Sequence, residues 1–232
     1  MARGKGGTGL LEEEVKVEGN GHKGERIVNV AIPAPKFSMA KFVITGTAPY
    51  VQLAFGQKAI NLMKAIHEAG HQRTKGKKRE PRNFSKEFES ALHKTPEGKF
   101  GIPAGAFRKA MISACKIVGF QMTKAKLAVF VEADGFDETE GTPIVFIEGK
   151  PEMVIHHVRN SDGSADLRTR GMWRKWSAAV RVKWDADMFS IQDITNLMKR
   201  VGMQVGLGEG RPDSKMSAGM GWGLFDVEPV EE

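Results

Sequence analysis

The chain has one cysteine, one tyrosine and no apolar run approaching the roughly 20 residues that a membrane-spanning helix needs. With a single thiol, Cys115, no intrachain disulfide is possible. Met111 and Ala114 nearby place that thiol on the apolar face of a helix, as a small core residue. The first residues are charged and glycine-rich, without the apolar stretch of a secretory signal. A cytoplasmic protein without a membrane partner is the expectation. No Ser-His-Asp or Cys-His set stands at a recognisable spacing, and no G-K-[ST] closes a phosphate loop. A role other than catalysis, without a cofactor, is expected.

What is present is basic charge and glycine. Lys and Arg number 35 against 28 Asp and Glu, a formal net charge of +7 over 232 residues. An excess of this size favours a polyanionic partner, nucleic acid before anionic membrane. Hydrophobic residues make up 41%, enough for a core without disulfide staples.

Residues 1–25 mix glycine with both charge signs and read as a flexible arm. Residues 26–228 read as one α+β domain and 229–232 as an acidic tail. Strand character runs over 39–55, with a bend at Gly46 and Pro49. A helix follows over 57–70, with Ile60, Met63 and Ile66 near one face. The segment 73–82 is a basic insertion carrying Arg73, Lys75, Lys77, Lys78, Arg79 and Arg82.

The strongest helical pattern is 104–118, where Phe107, Ala110, Met111, Ala114, Cys115 and Val118 share a face and Arg108, Lys109 and Lys116 lie opposite. Lys126–Glu132 reads as a strand, 143–158 as one or two more, and 159–172 as a polar hairpin tip or insertion. Residues 176–184 alternate cleanly: Trp176, Ala178, Val180, Val182 and Trp184 inward, with Arg181 and Lys183 on the other face. Ser190 and Asp193 predict a capping box for a helix over 191–201, and Gly202 its stop. A glycine-rich loop over 206–223 leads to a last strand. Without its insertions the order is strand, helix, strand, strand, helix, strand, the ferredoxin-like βαββαβ plan.

Several motifs compete for function. His67-Glu68-Ala69-Gly70-His71 fits H-E-x-x-H, which on a helix sets two histidines on one face for Zn²⁺ with Glu68 as general base. Gly70 weakens that helix, the polybasic segment that follows opposes a cation, and no third ligand stands at a known spacing, so no metal site is assigned. His156 and His157 are strand neighbours and face opposite ways. Asp134, Asp137, Glu138 and Glu140 lack the ligand order of a calcium loop and read as a solvated acidic loop. Glycines 206, 208 and 210 let backbone N–H groups approach a phosphate closely, with Arg211 and Lys215 beside them. Arg168, Arg170, Arg174 and Lys175, with Arg181 and Lys183, mix with tryptophan over 168–184. Cations of this kind track a nucleic-acid backbone while aromatic faces stack bases, and Trp173 is the stacking candidate.

Two segments resemble the RAMP superfamily, the backbone subunits of CRISPR effectors. Phe100–Ala114 (FGIPAGAFRKAMISA) is similar to its Ile-Pro-small-small entry into the first ferredoxin helix. Residues 205–228 (VGLGEGRPDSKMSAGMGWGLFDVE) are similar to its glycine-rich loop before the last strand. The glycine loop is longer and less regular than the usual form, and the chain is short for a backbone subunit. The resemblance implies single-stranded RNA or DNA held by its phosphates, copies assembling into a filament, and CRISPR-type or recombination proteins as partners. It also implies that 73–82 and 159–172 are clamp-like insertions. The chain as a whole is similar to small proteins of tailed bacteriophages, which would place it in the host cytoplasm. A single-strand DNA annealing recombinase, an interaction protein mimicking a CRISPR backbone subunit, and a zinc hydrolase using His67, Glu68 and His71 stand as alternatives.

Overall fold

The computed structural model describes residues 32–54, 57–68, 81–159, 162–214 and 219–230. The chain divides after Ala34, and the fold that follows is that of the unit from Pro35 onward. Arg73, Lys75, Lys77, Lys78, Arg79, Lys215 and His71 lie outside the described residues.

Strand β1 spans Phe37–Gly46, α3 Ala104–Ile117, β4 Val129–Glu132, β9 Ser177–Asp185, α5 Ile191–Arg200 and β10 Phe225–Pro229. β1 pairs antiparallel with β10 on one side and β9 on the other, and β9 pairs antiparallel with β4. The resulting order β10-β1-β9-β4, with a helix between the first and second strands and another between the third and fourth, is the ferredoxin-like arrangement in an α+β chain. One sheet face is the core: Phe42 and Ile44 of β1, Val180 and Val182 of β9 and Phe225 of β10 are buried with Phe107 and Met111 of α3. Each of these side chains contributes about 1.5–3 kcal/mol on burial. The other face carries Met39, Lys41, Ala179 and Lys183, all exposed. The alternation over 176–184 is therefore what it looked like, and Trp176 and Trp184 are core.

α3 follows its predicted period, and burial of Cys115 pushes its thiol pKa up, which leaves it inert. The capping box of α5 is present, Ser190 and Asp193 bonding each other's backbone N–H. Gly202 does not stop that helix. The chain continues as a turn of π-helix, Val201–Val205, closed by the Gly206 N–H donating to the Val201 carbonyl at 2.8 Å. Gly202 is small for another reason: a Cβ there would collide with the Phe225 carbonyl. The left-handed residue that ends the helical run is Gly206, at φ +73°.

The segment 126–132 is strand only in its second half. Met122–Ala128 forms a short helix, α4, and β4 begins where the β-branched residues do, at Val129.

Between β1 and α3 the chain makes β2 (Tyr50–Gln52), α1 (Gln57–Glu68), α2 (Phe84–Ser90) and β3 (Gly101–Pro103). Met63 and Ile66 of α1 are exposed, so its expected apolar face is not a core face. After β4 come β5 (Gly135–Phe136), β6 (Pro143–Glu148), β7 (Glu152–Arg159) and β8 (Ala165–Trp173). β6 pairs β3, β5 and the start of β9, while β2, β8 and β7 make a separate three-stranded sheet. Most of the predicted insertion 159–172 is thus not a tip but the strand β8, in register with β7 from Glu152–Met172 to Arg159–Ala165. The acidic stretch after β4 is structural too. Asp137 is buried and accepts the N–H groups of Lys94, Thr139 and Glu140, and Asp134 pairs with Arg181 at 2.9 Å. Among the described residues no helix is long and apolar enough to cross a membrane.

Candidate nucleic-acid interface

A groove of about 620 Å³ runs between the start of α3 and the glycine turn after the π-helix. β2 forms its floor, Gly105, Arg108 and Lys109 one wall, and Gly206–Arg211 the other, with His93 and Pro143 also in its lining.

The α3 wall is an open helix N-terminus. Pro103 occupies the N-cap without a side-chain hydrogen bond, and no acidic residue stands in the first turn. The next residues, Ala104, Gly105 and Ala106, have no polar side chain that could fold back on the backbone. A 14-residue helix therefore presents uncapped N–H groups and the positive end of its dipole to the groove.

The opposite wall needs glycine for a stated reason. Gly208, at φ +73°, lies against β2 so closely that a Cβ would strike the Val51 carbonyl and the Tyr50 ring. The Glu209 N–H then donates to the Val51 carbonyl at 2.9 Å and fastens the turn to the groove floor. Gly223, at φ +71°, leaves no room for a Cβ beside the Leu207 backbone. Ser113 of α3 donates to Asp213 at 2.6 Å, joining the two walls.

The floor is a polar network centred on Gln52. Gln52 donates to the Tyr50 hydroxyl at 3.1 Å and to the Gly101 carbonyl at 3.0 Å, and accepts the His93 N–H at 3.0 Å. Burial pushes the Tyr50 phenol well above its ordinary range, so it stays protonated. His93 Nδ1 sits 3.4 Å from the buried Asp137.

Charge in the groove is weighted by what is already engaged. Glu209 is held by Arg170 at 3.3 Å and Asp213 by Ser113. Arg211 donates to the Gly208 carbonyl at 2.9 Å and stiffens the turn while keeping its charge. Arg108 donates to the carbonyls of Val129 and Lys126 and lies over the Phe130 ring, which fixes its guanidinium at the groove mouth. Lys109 is exposed and in no ion pair among the described residues. The arrangement can hold an anionic group between backbone amides and cations.

Arg108, Lys109, Gly206, Gly208 and Arg211, widely separated in sequence, are thus brought together. The remaining candidates lie elsewhere. Arg82 donates to Glu87 at 2.8 Å and also to Asp166 and the Leu167 carbonyl, so it pins α2 to the β7–β8 hairpin. Arg168 and Arg170 stand on the β8 face that carries His156, which lies opposite Arg168 in β7; the His156 ring meets that of Trp222 at 5.3 Å. Arg174 pairs with Glu152 at 2.8 Å, and Lys175 is exposed in the next turn. Arg181 pairs with Glu132 and Asp134, and Lys183 stands on the open sheet face. Trp173 is wholly buried between Tyr50, at 5.5 Å, and Phe100, at 6.0 Å, so it has no face to stack on a base. Sequence reasoning missed Gln52, His93 and Glu209: His93 and Glu209 reach the groove by bonding β2, the His93 N–H to Gln52 and the Glu209 N–H to the Val51 carbonyl.

The sequence matches no protein-family profile and no curated protein. Among solved structures, the fold is similar to a chain in the cryo-EM structure of the type III-B Cmr-β complex bound to cognate target RNA. The TM-score is 0.42 at 12% identity, over 84% of this chain. The match spans 61% of that chain's length.

Proposed function

We propose that the protein binds single-stranded nucleic acid, with the phosphate backbone lying in the groove between α3 and the glycine turn. One observation carries this reading: an uncapped helix N-terminus, Arg108, Lys109, Arg211 and a tight glycine turn converge on the same open groove. Each is a usual phosphate-positioning group, and none reads a base edge, so the grip is weakly dependent on sequence. The two walls of the groove come from the segments that resemble RAMP proteins, which supports the same reading. Copies assembling along the strand, in the manner of a backbone subunit, are part of the proposal.

Fluorescence anisotropy of labelled single-stranded RNA, single-stranded DNA and duplex DNA across a salt series tests it. Salt-steep binding to single strands, lost when Lys109→Glu is combined with Arg211→Glu, is the expected result. The preferred sugar then distinguishes RNA coating from DNA binding, and light scattering during the titration reports assembly. Absence of binding at low salt overturns the reading.

A further inference from the structure

A line of cation and aromatic contacts leads out of the groove. Arg108, on the groove wall, lies 5.0 Å from the centroid of the Phe130 ring. Phe130 meets Phe37 edge-to-face at 5.8 Å, and the Lys183 ammonium stands over Phe37 at 5.1 Å. Phe130 belongs to β4, which is paired only on its β9 side among the described residues, so the line turns the sheet edge onto the open face. There the register sets Met39 and Phe130 on either side of Lys183, with Lys41 beside Arg181.

Two features of this face point to the same ligand as the groove. Phe37 is 41% and Met39 55% exposed, apolar surface interleaved with the ammonium groups of Lys41 and Lys183. An exposed aromatic ring and a thioether set among cations suit a strand that alternates bases and phosphates. The far side of the same face carries exposed Asp226 and Glu228 on β10; on the Phe37 side the acids are engaged, Asp185 opposite Phe37 accepting the Asp187 N–H and Glu132 pairing with Arg181, which favours a polyanion beside Lys41 and Lys183.

We infer that this is an exit track. A single strand leaving the groove at Arg108 passes over β4, stacks a base on the Phe37–Met39 surface and sets its phosphates against Lys41 and Lys183. The inference rests on the groove reading and extends the bound strand by a second segment.

The test is the length dependence of affinity for labelled oligonucleotides from about 4 to about 12 nucleotides, the range of known single-strand sites. Affinity of the unaltered protein is expected to rise about tenfold once the strand is long enough to reach Phe37, the scale of one base–aromatic stack. Phe37→Ala combined with Lys183→Glu is expected to remove most of that rise. Both residues are exposed, and a thermal melt checks that the variant folds. A 5-iodouracil at the distal end of the long strand is expected to crosslink to the peptide containing Phe37.

An unchanged rise, with no distal crosslink, overturns the track. A kept rise with altered sedimentation of the protein alone overturns it in favour of a contact between two copies. Lys109→Glu with Arg211→Glu separates the two readings. If that pair leaves short-strand binding intact, the groove falls and the track loses its origin. If it abolishes short-strand binding while the Phe37 variant keeps the rise, the track alone falls.

Discussion

Arg170 of β8 and Glu209 of the glycine turn meet at 3.3 Å, and the pair ties the base of the β7–β8 hairpin to the groove wall. Only 9% of the Arg170 side chain is exposed, and its Nε has no hydrogen-bond partner among the described residues, so Glu209 is what offsets burial of the guanidinium. The same carboxylate lines the groove, where it would oppose a phosphate bound as proposed. Glu209→Gln is therefore expected to act in two opposite ways. It lowers the unfolding free energy by about 1 kcal/mol, since Arg170 loses the charge opposite it but Glu209, itself 42% exposed, is screened by solvent. It also tightens oligonucleotide binding at low salt. Urea denaturation and anisotropy on one preparation check both, and a variant that is less stable and also binds more weakly contradicts the groove assignment.

The second prediction separates glycines that need only their dihedral angle from one that also needs its space. Gly221 and Gly223 both have φ +71°, but nothing lies within 4 Å of a Cβ at Gly221, whereas one at Gly223 would collide with the Leu207 backbone. Gly221→Ala is expected to cost about 1 kcal/mol, the strain of a left-handed alanine. Gly223→Ala is expected to cost several times more and to disturb the glycine turn, since backbone cannot move aside as a flexible side chain can. Thermal melts of the two variants, side by side, give the comparison.

How far the sequence revealed this arrangement depends on whether a residue's partner was local. The period of α3, the alternation of β9 and the Ser190–Asp193 box are each set within one element, and each reads directly from spacing. Trp173 was misjudged because its burial comes from β2 and Phe100, far away in the chain, while its sequence neighbours Arg174 and Lys175 are exposed. Gly202 looked like a helix stop because its close approach to Phe225 depends on how the last strand packs. Arg82 looked like part of a free basic run, and only the fold supplies Glu87 and Asp166. The groove was half legible: the glycines and the basic start of α3 announced its walls, but nothing local announced the floor of Tyr50, Gln52 and His93.

Those internal pairings separate two cations that the sequence treated alike. Lys109 faces the groove without an ion pair among the described residues, whereas Arg82 is fully occupied. Lys109→Ala is expected to lower the slope of log affinity against log salt by close to one phosphate contact, about 0.7 for a single strand, at little cost in stability. Arg82→Ala is expected to leave the slope unchanged and to lower stability by about 1 kcal/mol, because it unfastens α2 from the hairpin. Equal slopes for Lys109→Ala and the unaltered protein would remove that lysine from the interface.

The last prediction concerns acid. The His156 pKa is held below the ordinary histidine value, first by burial, then by the charges of Arg170 and His157. Its ring lies against Trp222, and its Nδ1 has no hydrogen-bond partner among the described residues. A base with a depressed folded-state pKa binds its proton more readily in the unfolded chain. Stability is therefore intact above the unfolded value of about 6.5 and falls as the pH drops through that value towards the lower folded one. Trp222 in turn donates its backbone N–H to the Gly210 carbonyl at 3.3 Å, so acid is expected to loosen the hairpin against the glycine turn. His156→Gln carries no titrating group and is expected to flatten the dependence of melting temperature on pH between about 7 and about 5.5, above the range where carboxylates dominate. A variant whose melting temperature falls with acid as steeply as that of the unaltered protein would assign the effect to other groups.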